Sequence, residues 1–282
     1  MVYRDLALAV TLVASGCSVD KTATTTHAII GGDASGPSEF AATGMLVNKE
    51  QLLCTATLIA PDVALTAAHC LEEPLFGTLG FTLDPDGSDG TSDVVPVTIY
   101  HPHPDFDDGV DEFVDLAVRN DIGILILKEP IQDVVPEQLD TPSFETAIDA
   151  GNQLAMCGYG RILWTGSLTL KRDAEMVVDR VEAFEFSTTA TDPQPCTGDS
   201  GAPLFVDGPS GRRIVGVVSR AVGTSRRCDT GAIITRVAPY AAWIAAASKD
   251  RDPGCSAGGG GSVLPLGLLW ALHARRRRRT PR

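Results

Sequence analysis

From residue 40 onward the chain is a succession of short apolar and β-branched runs separated by turn residues. The eleven runs fall at 42–47, 52–59, 63–66, 79–83, 94–99, 122–127, 153–158, 175–181, 203–206, 214–218 and 232–237. Many short strands at this spacing predict an all-β barrel architecture, because closing a sheet on itself buries one face and removes its open edges. The pattern changes only at its end, where Tyr240-Ala241-Ala242-Trp243-Ile244-Ala245-Ala246 reads as a helix with an apolar face for the body. The 282 residues, 44% of them hydrophobic, supply core for one large or two modest domains, and 28 glycines and 18 prolines supply the turns.

Two glycines enclose a serine in Cys196-Thr197-Gly198-Asp199-Ser200-Gly201-Ala202-Pro203-Leu204. A serine in such a tight turn can present its hydroxyl while neighbouring backbone N–H groups face a developing oxyanion. Serine chemistry needs a base, and His69 is the candidate, set among small residues in Thr66-Ala67-Ala68-His69-Cys70. A third group must orient that base. Asp121 stands at the mouth of the apolar run Ile122-Gly123-Ile124-Leu125.

With Ile29-Ile30-Gly31-Gly32 upstream, four stretches in this order make the region from Ile29 to about Ala246 resemble the trypsin/chymotrypsin-like serine endopeptidases. The resemblance implies two packed six-stranded antiparallel β-barrels and a C-terminal helix: a first barrel at about 29–135, a second at about 136–238, and a closing helix at 239–246. Their connection falls around 129–147, with Pro130, Pro136 and Pro142. It further implies Ser200 as nucleophile, His69 as base, Asp121 as orienting carboxylate, and Gly198 and Ser200 N–H as the oxyanion hole. The disulfides implied are Cys54 with Cys70 and Cys196 with Cys228, which set the chain in an oxidising compartment. No cofactor or metal is required, and the expected protein is a monomer acting on a peptide or protein substrate. The rival readings are a catalytically silent protease-like surface binding protein, against which the intact triad argues, and an esterase, whose Gly-x-Ser-x-Gly elbow and Ser-Asp-His order are absent.

In the resembling family, cleavage before the Ile-Ile-Gly-Gly stretch frees an amino group that pairs with the aspartate preceding the serine. That predicts activation through Ile29 and Asp199. Ala28 stands where trypsin-activated precursors carry Arg or Lys, so the activating protease must accept alanine, or the chain must cut itself. The pocket before the scissile bond is assigned to Gln194, Pro195, Thr197, Ser219, Arg220, Ala221 and Ala232. Gln194 falls where trypsin-like enzymes place an aspartate; Arg220 replaces a usual tryptophan, and Ala221 and Ala232 add methyls to the two walls. The expected preference is a small or medium uncharged side chain, with Arg/Lys specificity as the alternative if Asp192 reaches the pocket. Ala202 adds a methyl to the turn after Ser200.

Residues 29–246 carry 13 Lys/Arg against 32 Asp/Glu, a net charge of -19 that disfavours nucleic acid as a partner. Part of it lies in a glycine-rich loop with Asp84, Asp86, Asp89 and Asp93. The loop reads as a solvated acidic turn, or as a weak calcium site that does not fit the twelve-residue template. A second acidic stretch, Asp105, Asp107, Asp108, Asp111, Glu112 and Asp115, is a candidate rim for substrate or a plain solvated loop. Cys157 has no evident partner and reads as a buried thiol.

Residues 1–16 read as a signal peptide, since the apolar run from Leu6 to Ala14 is too short to span a bilayer. Val13-Ala14-Ser15-Gly16-Cys17 resembles a bacterial lipobox, making Cys17 a candidate for lipidation, with ordinary signal-peptidase cleavage as the alternative. Residues 17–28 form a tether or propeptide. Residues 247–262 form a flexible linker with Gly254-Cys255, and 263–282 combine an apolar run with five consecutive arginines. This tail resembles a myxobacterial surface-sorting signal in which Cys255 is the retained end; the alternative is a disordered tail. Export and sorting machinery are therefore expected partners, with membrane association through processed termini and placement at the cell surface, in the outer membrane or outside the cell.

Overall fold

A computed structural model describes residues 29, 32–36, 38–48, 51–72, 78–86, 93–109, 116–143, 147–160, 170–191, 193–209, 211–223 and 228–252. Cys17, Cys255, Asp89, Asp192 and the 111–115 part of the acidic stretch lie outside them. In chain order the strands are β1 (Asp33–Ala34), β2 (Thr43–Asn48), β3 (Gln51–Ala60), β4 (Val63–Thr66), β5 (Leu79–Thr82), β6 (Val95–Pro102) and β7 (Gly123–Leu127). Then follow β8 (Gln138–Leu139), β9 (Gln153–Gly158), β10 (Arg172–Val181), β11 (Glu185–Thr188), β12 (Pro203–Gly208), β13 (Gly211–Ala221) and β14 (Ala232–Arg236). Among the described residues one α-helix, α1 (Ala241–Ala247), follows a 3-10 turn at Ala238–Tyr240.

These strands form two antiparallel barrels. The first closes in the order β2-β3-β4-β7-β6-β5. In the second, β10-β11-β14-β13-β12-β9 closes through the pairing of β9 with β10. β7, Gly-Ile-Leu-Ile-Leu, is buried along its whole length, as a continuous apolar run requires of a strand covered on both faces. All eleven expected runs are strands. β11 was not expected: its four residues include Glu185 and Thr188, whose polar groups are met inside the fold by Arg220 and by the N–H of Ala232.

The expected first-barrel span differs at its start. Although β1 precedes that barrel in sequence, it pairs with β10, Asp33 opposite Asp173, and Ile29 is buried in the apolar core of the second barrel. Apolar burial explains the crossing, because Ile29 shares that core with Ile148, Met156 and Ala202. α1 packs on the first barrel: Ile244 and Ala247 join its core, and the Trp243 ring lies tilted against His103, centroids 4.8 Å apart. Among the described residues no helix is long and apolar enough to cross a membrane.

Candidate active site

His69 begins a short 3-10 turn directly after β4, and Asp121 sits one residue before the run that becomes β7. The pairing of β4 with β7, Thr66 opposite Gly123, brings the two ends together. Asn120 helps to aim the aspartate: its backbone is in the left-handed region, φ 54°, and its side chain accepts from the Tyr240 hydroxyl at 2.9 Å. Asp121 then takes the His69 backbone N–H on Oδ1 at 2.9 Å and the His69 ring on Oδ2 at 2.8 Å. An ionised carboxylate only accepts, so Nδ1 carries the ring proton and Nε2 keeps its lone pair. Ser219 adds a third donor, its hydroxyl meeting Asp121 Oδ2 at 2.6 Å.

Electrostatics agree with these roles. Burial would raise the Asp121 pKa, but the His69 charge and the bonds from His69 and Ser219 hold it below its ordinary 3.8. Burial would lower that of His69; the charge and hydrogen bond of Asp121, with Glu72 beyond, outweigh it and leave the imidazole above 6.5. The raised imidazole is the stronger base.

The Ser200 turn belongs to the second barrel but is anchored from the first. Thr55 on β3 gives its N–H to Ser200 O at 2.8 Å and its hydroxyl to Gly198 O at 2.9 Å. Gly198 and Gly201 have φ of 101° and 81°; a Cβ on Gly201 would come within 2.2 Å of Thr55 O, so only glycine fits. The N–H groups of Asp199, Gly201 and Ala202 are all bonded, to Cys196, Val218 and Asp199 carbonyls. Among the described residues no acceptor meets those of Gly198 and Ser200. Two unpaired donors beside a serine hydroxyl are what a developing oxyanion needs. Ala202 does not crowd this turn, because its methyl is buried in the second core.

Asp199 is fully buried and turned inward. It accepts from Gly160 N–H at 2.7 Å and Cys196 N–H at 2.9 Å. Burial pushes its pKa up to about 7, against the pull of those two bonds. Gly158 and Gly160 form its cradle, since a Cβ on either would lie within about 2.2 Å of a carboxylate oxygen. Cys157 just before them is a buried free thiol whose pKa burial raises to about 12.

A cavity of about 380 Å³ opens beside Ser200, lined by Pro195, Cys196, Thr197, Val218, Ser219, Arg220, Ala221, Cys228 and Ala232. The expected pocket residues are thus gathered, save Gln194. That side chain is buried, its amide N–H donating to Thr189 O and Thr191 O and its oxygen accepting from Gly231 N–H, so it ties the loop together. Both disulfides are formed, Cys54 with Cys70 and Cys196 with Cys228. Of the acidic loop, Asp84, Asp86 and Asp93 are not drawn into a ligand set among the described residues. The one group within metal-binding reach there, Cys54, His69 and Cys70, has its two sulfurs in a disulfide. Three contributors carry no local sequence signal: Thr55, Glu185, and Ser219 as a donor to Asp121.

Comparison with known proteins agrees with this geometry. The profile of the family described as Trypsin matches residues 29–244. Human serine protease 56 is 28% identical over 261 residues, 80% of this chain, which spans only 40% of that protein. Mouse kallikrein-11 is 28% identical over 71% of this chain and 74% of its own length, and human granzyme M 29% over 68% and 78%. The structure of mouse neuropsin, a serine protease, superposes with a TM-score of 0.62 at 20% identity, covering 76% of this chain and 97% of neuropsin. That likeness shows the two-barrel fold, and the match across 29–244 shows that the chain belongs to the trypsin family of serine endopeptidases.

Proposed function

We propose that this protein hydrolyses peptide bonds through an acyl-enzyme on Ser200. The observation that carries the reading is the fixed tautomer of His69: with Nδ1–H committed to Asp121, Nε2 is the available base. Ser200 Oγ attacks the substrate carbonyl carbon, His69 Nε2 takes the hydroxyl proton, and the carbonyl oxygen, now an oxyanion, settles on the Gly198 and Ser200 N–H groups. Each such donor is worth roughly 3 to 4 kcal/mol in the transition state. Collapse breaks the C–N bond, and His69 returns the proton to the leaving amine. Water, deprotonated by the same nitrogen, then attacks the acyl carbon and frees Ser200.

The side chain before the scissile bond is small or medium and uncharged. Supporting this, no carboxylate is among the described residues lining the cavity, Ala221 and Ala232 stand on its walls, and the Gln194 amide is engaged within its loop. Activation follows cleavage after Ala28, whose new Ile29 ammonium pairs with Asp199; burial of both residues in the second barrel supports it. The disulfides support export to an oxidising compartment. Acylation at Cys17 and retention at Cys255 belong to the same proposal, with the activating protease and the export and sorting machinery as partners; mass spectrometry of the mature ends tests them.

A diverse peptide library incubated with the chain before and after removal of residues 1–28 tests the activity. Cleavage after alanine, valine or similar side chains, confined to the shortened form, is expected. Cleavage after Arg or Lys would overturn the pocket assignment, and cleavage by neither form would overturn the enzymatic reading.

A further inference from the structure

Strand β13 is bulged beside the catalytic carboxylate. Val218 pairs with Ile234 and Arg220 with Ile233, leaving Ser219 between them without an opposite residue on β14. A bulge breaks the alternation of side chains and re-aims the extra residue. Here Ser219 and Arg220 both face a recess of about 260 Å³ that His69 and Asp121 also line. Glu185 on β11 holds the guanidinium, Oε1 accepting from Nη1 and Oε2 from Nη2, each at 2.8 Å. Ala117 N–H, at 2.9 Å from Oε2, fixes the carboxylate in turn.

The count of hydrogens defines what the pair does. A guanidinium donates and cannot accept. Arg220 Nη1 has a second hydrogen, and it meets Ser219 Oγ at 3.2 Å. Ser219 accepts there, so its single hydroxyl hydrogen is left for Asp121 Oδ2, 2.6 Å away. We propose that Arg220, clamped by Glu185, is a positioning residue that commits the Ser219 proton to Asp121 and so fixes the carboxylate that orients His69. The proposal rests on the hydrolytic reading of Ser200, His69 and Asp121 given above.

A pH profile separates this role from a structural one. Of the charges facing His69, Asp121 and Glu72 favour the imidazolium and Arg220 opposes it; Asp108 and Arg119 line the same recess. Loss of Arg220 therefore favours the imidazolium, and the acid limb of activity moves to higher pH. Simple loosening of the strand would lower the rate without moving the limb.

The test is a double-mutant cycle on the full chain, cut before Ile29 through an introduced processing site. It reads the rate of Ser200 phosphonylation by a fluorophosphonate between about pH 5 and 9. Arg220→Met is expected to lower the plateau rate about tenfold and to move the acid limb upward. In a Ser219→Ala background the same change should lower the plateau by less than about twofold. Because Arg220→Met leaves Glu185 buried without its cation, the Arg220→Met/Glu185→Gln pair is measured beside it, with near-ultraviolet circular dichroism as the check of fold. Equal losses in both Ser219 backgrounds, or an unmoved acid limb in the folded Arg220→Met variant, overturn the positioning role alone. A wild-type Ser200 that takes no label overturns the hydrolytic reading and this proposal with it.

Discussion

Thr55 reaches three partners across the barrel boundary with one peptide unit and one hydroxyl. Beyond Ser200 O and Gly198 O, its Oγ1 accepts from the N–H of Tyr159 at 3.3 Å. Thr55→Val keeps the shape and removes the hydroxyl, leaving the Gly198 carbonyl and the Tyr159 N–H without it. The expected result in steady-state peptide hydrolysis is a kcat lower by about tenfold with little change in KM, because the interaction aligns the oxyanion donors and touches no substrate. His69 gives a second prediction at this scale. Its raised pKa places the acid limb of kcat/KM above pH 6.5, and Asp121→Asn, which removes the charge responsible, should move the limb down while cutting the rate about 10⁴-fold. His69, Asp121 and Ser200 were legible because each lies in a short stretch whose neighbours are themselves diagnostic. The roles of Thr55 and of Ser219 as a donor to Asp121 were not, since the partners lie 143 and 98 positions away and nothing local marks the pairing.

At the scale of elements, strands were readable where apolar runs were, and their ends were not. β13 runs three residues before its expected start and three beyond its expected end, and β10 begins three residues early, because ladder bonds continue through charged residues that the apolar pattern excludes. Those extra residues join elements. Arg212 at the start of β13 packs its guanidinium over Phe40 and Phe205, 4.3 and 4.6 Å from the ring centroids, and meets Glu137 Oε1 at 2.5 Å. It ties the connection between the barrels to β12 and to the segment entering β2. Arg212→Ala should lower stability by about 1 to 2 kcal/mol, seen as a lower urea midpoint at unchanged m-value, with the rate of Ser200 phosphonylation unaltered.

For the whole molecule, Asp199 links chain cleavage to stability. A carboxylate whose folded pKa is raised contributes stability that is full below its ordinary 3.8 and is lost as pH rises through about 7. The uncut chain should therefore lose stability across that window in urea titrations. Asp199→Asn should flatten the slope, as should cleavage before Ile29 if the new ammonium holds the carboxylate ionised. The fold was legible as a whole because many short apolar runs leave few architectures open, whereas the placement of β1 and Ile29 on the second barrel was not, since their packing partners follow them by more than a hundred residues. Hydrolysis by this chain requires Ser200 as the nucleophile activated by His69. The direct measurement is tandem mass spectrometry of the chain cut before Ile29 and treated with a fluorophosphonate. One adduct on Ser200, absent from the Ser200→Ala and His69→Ala variants, is the predicted result; a folded, cut chain whose Ser200 stays unmodified would contradict it.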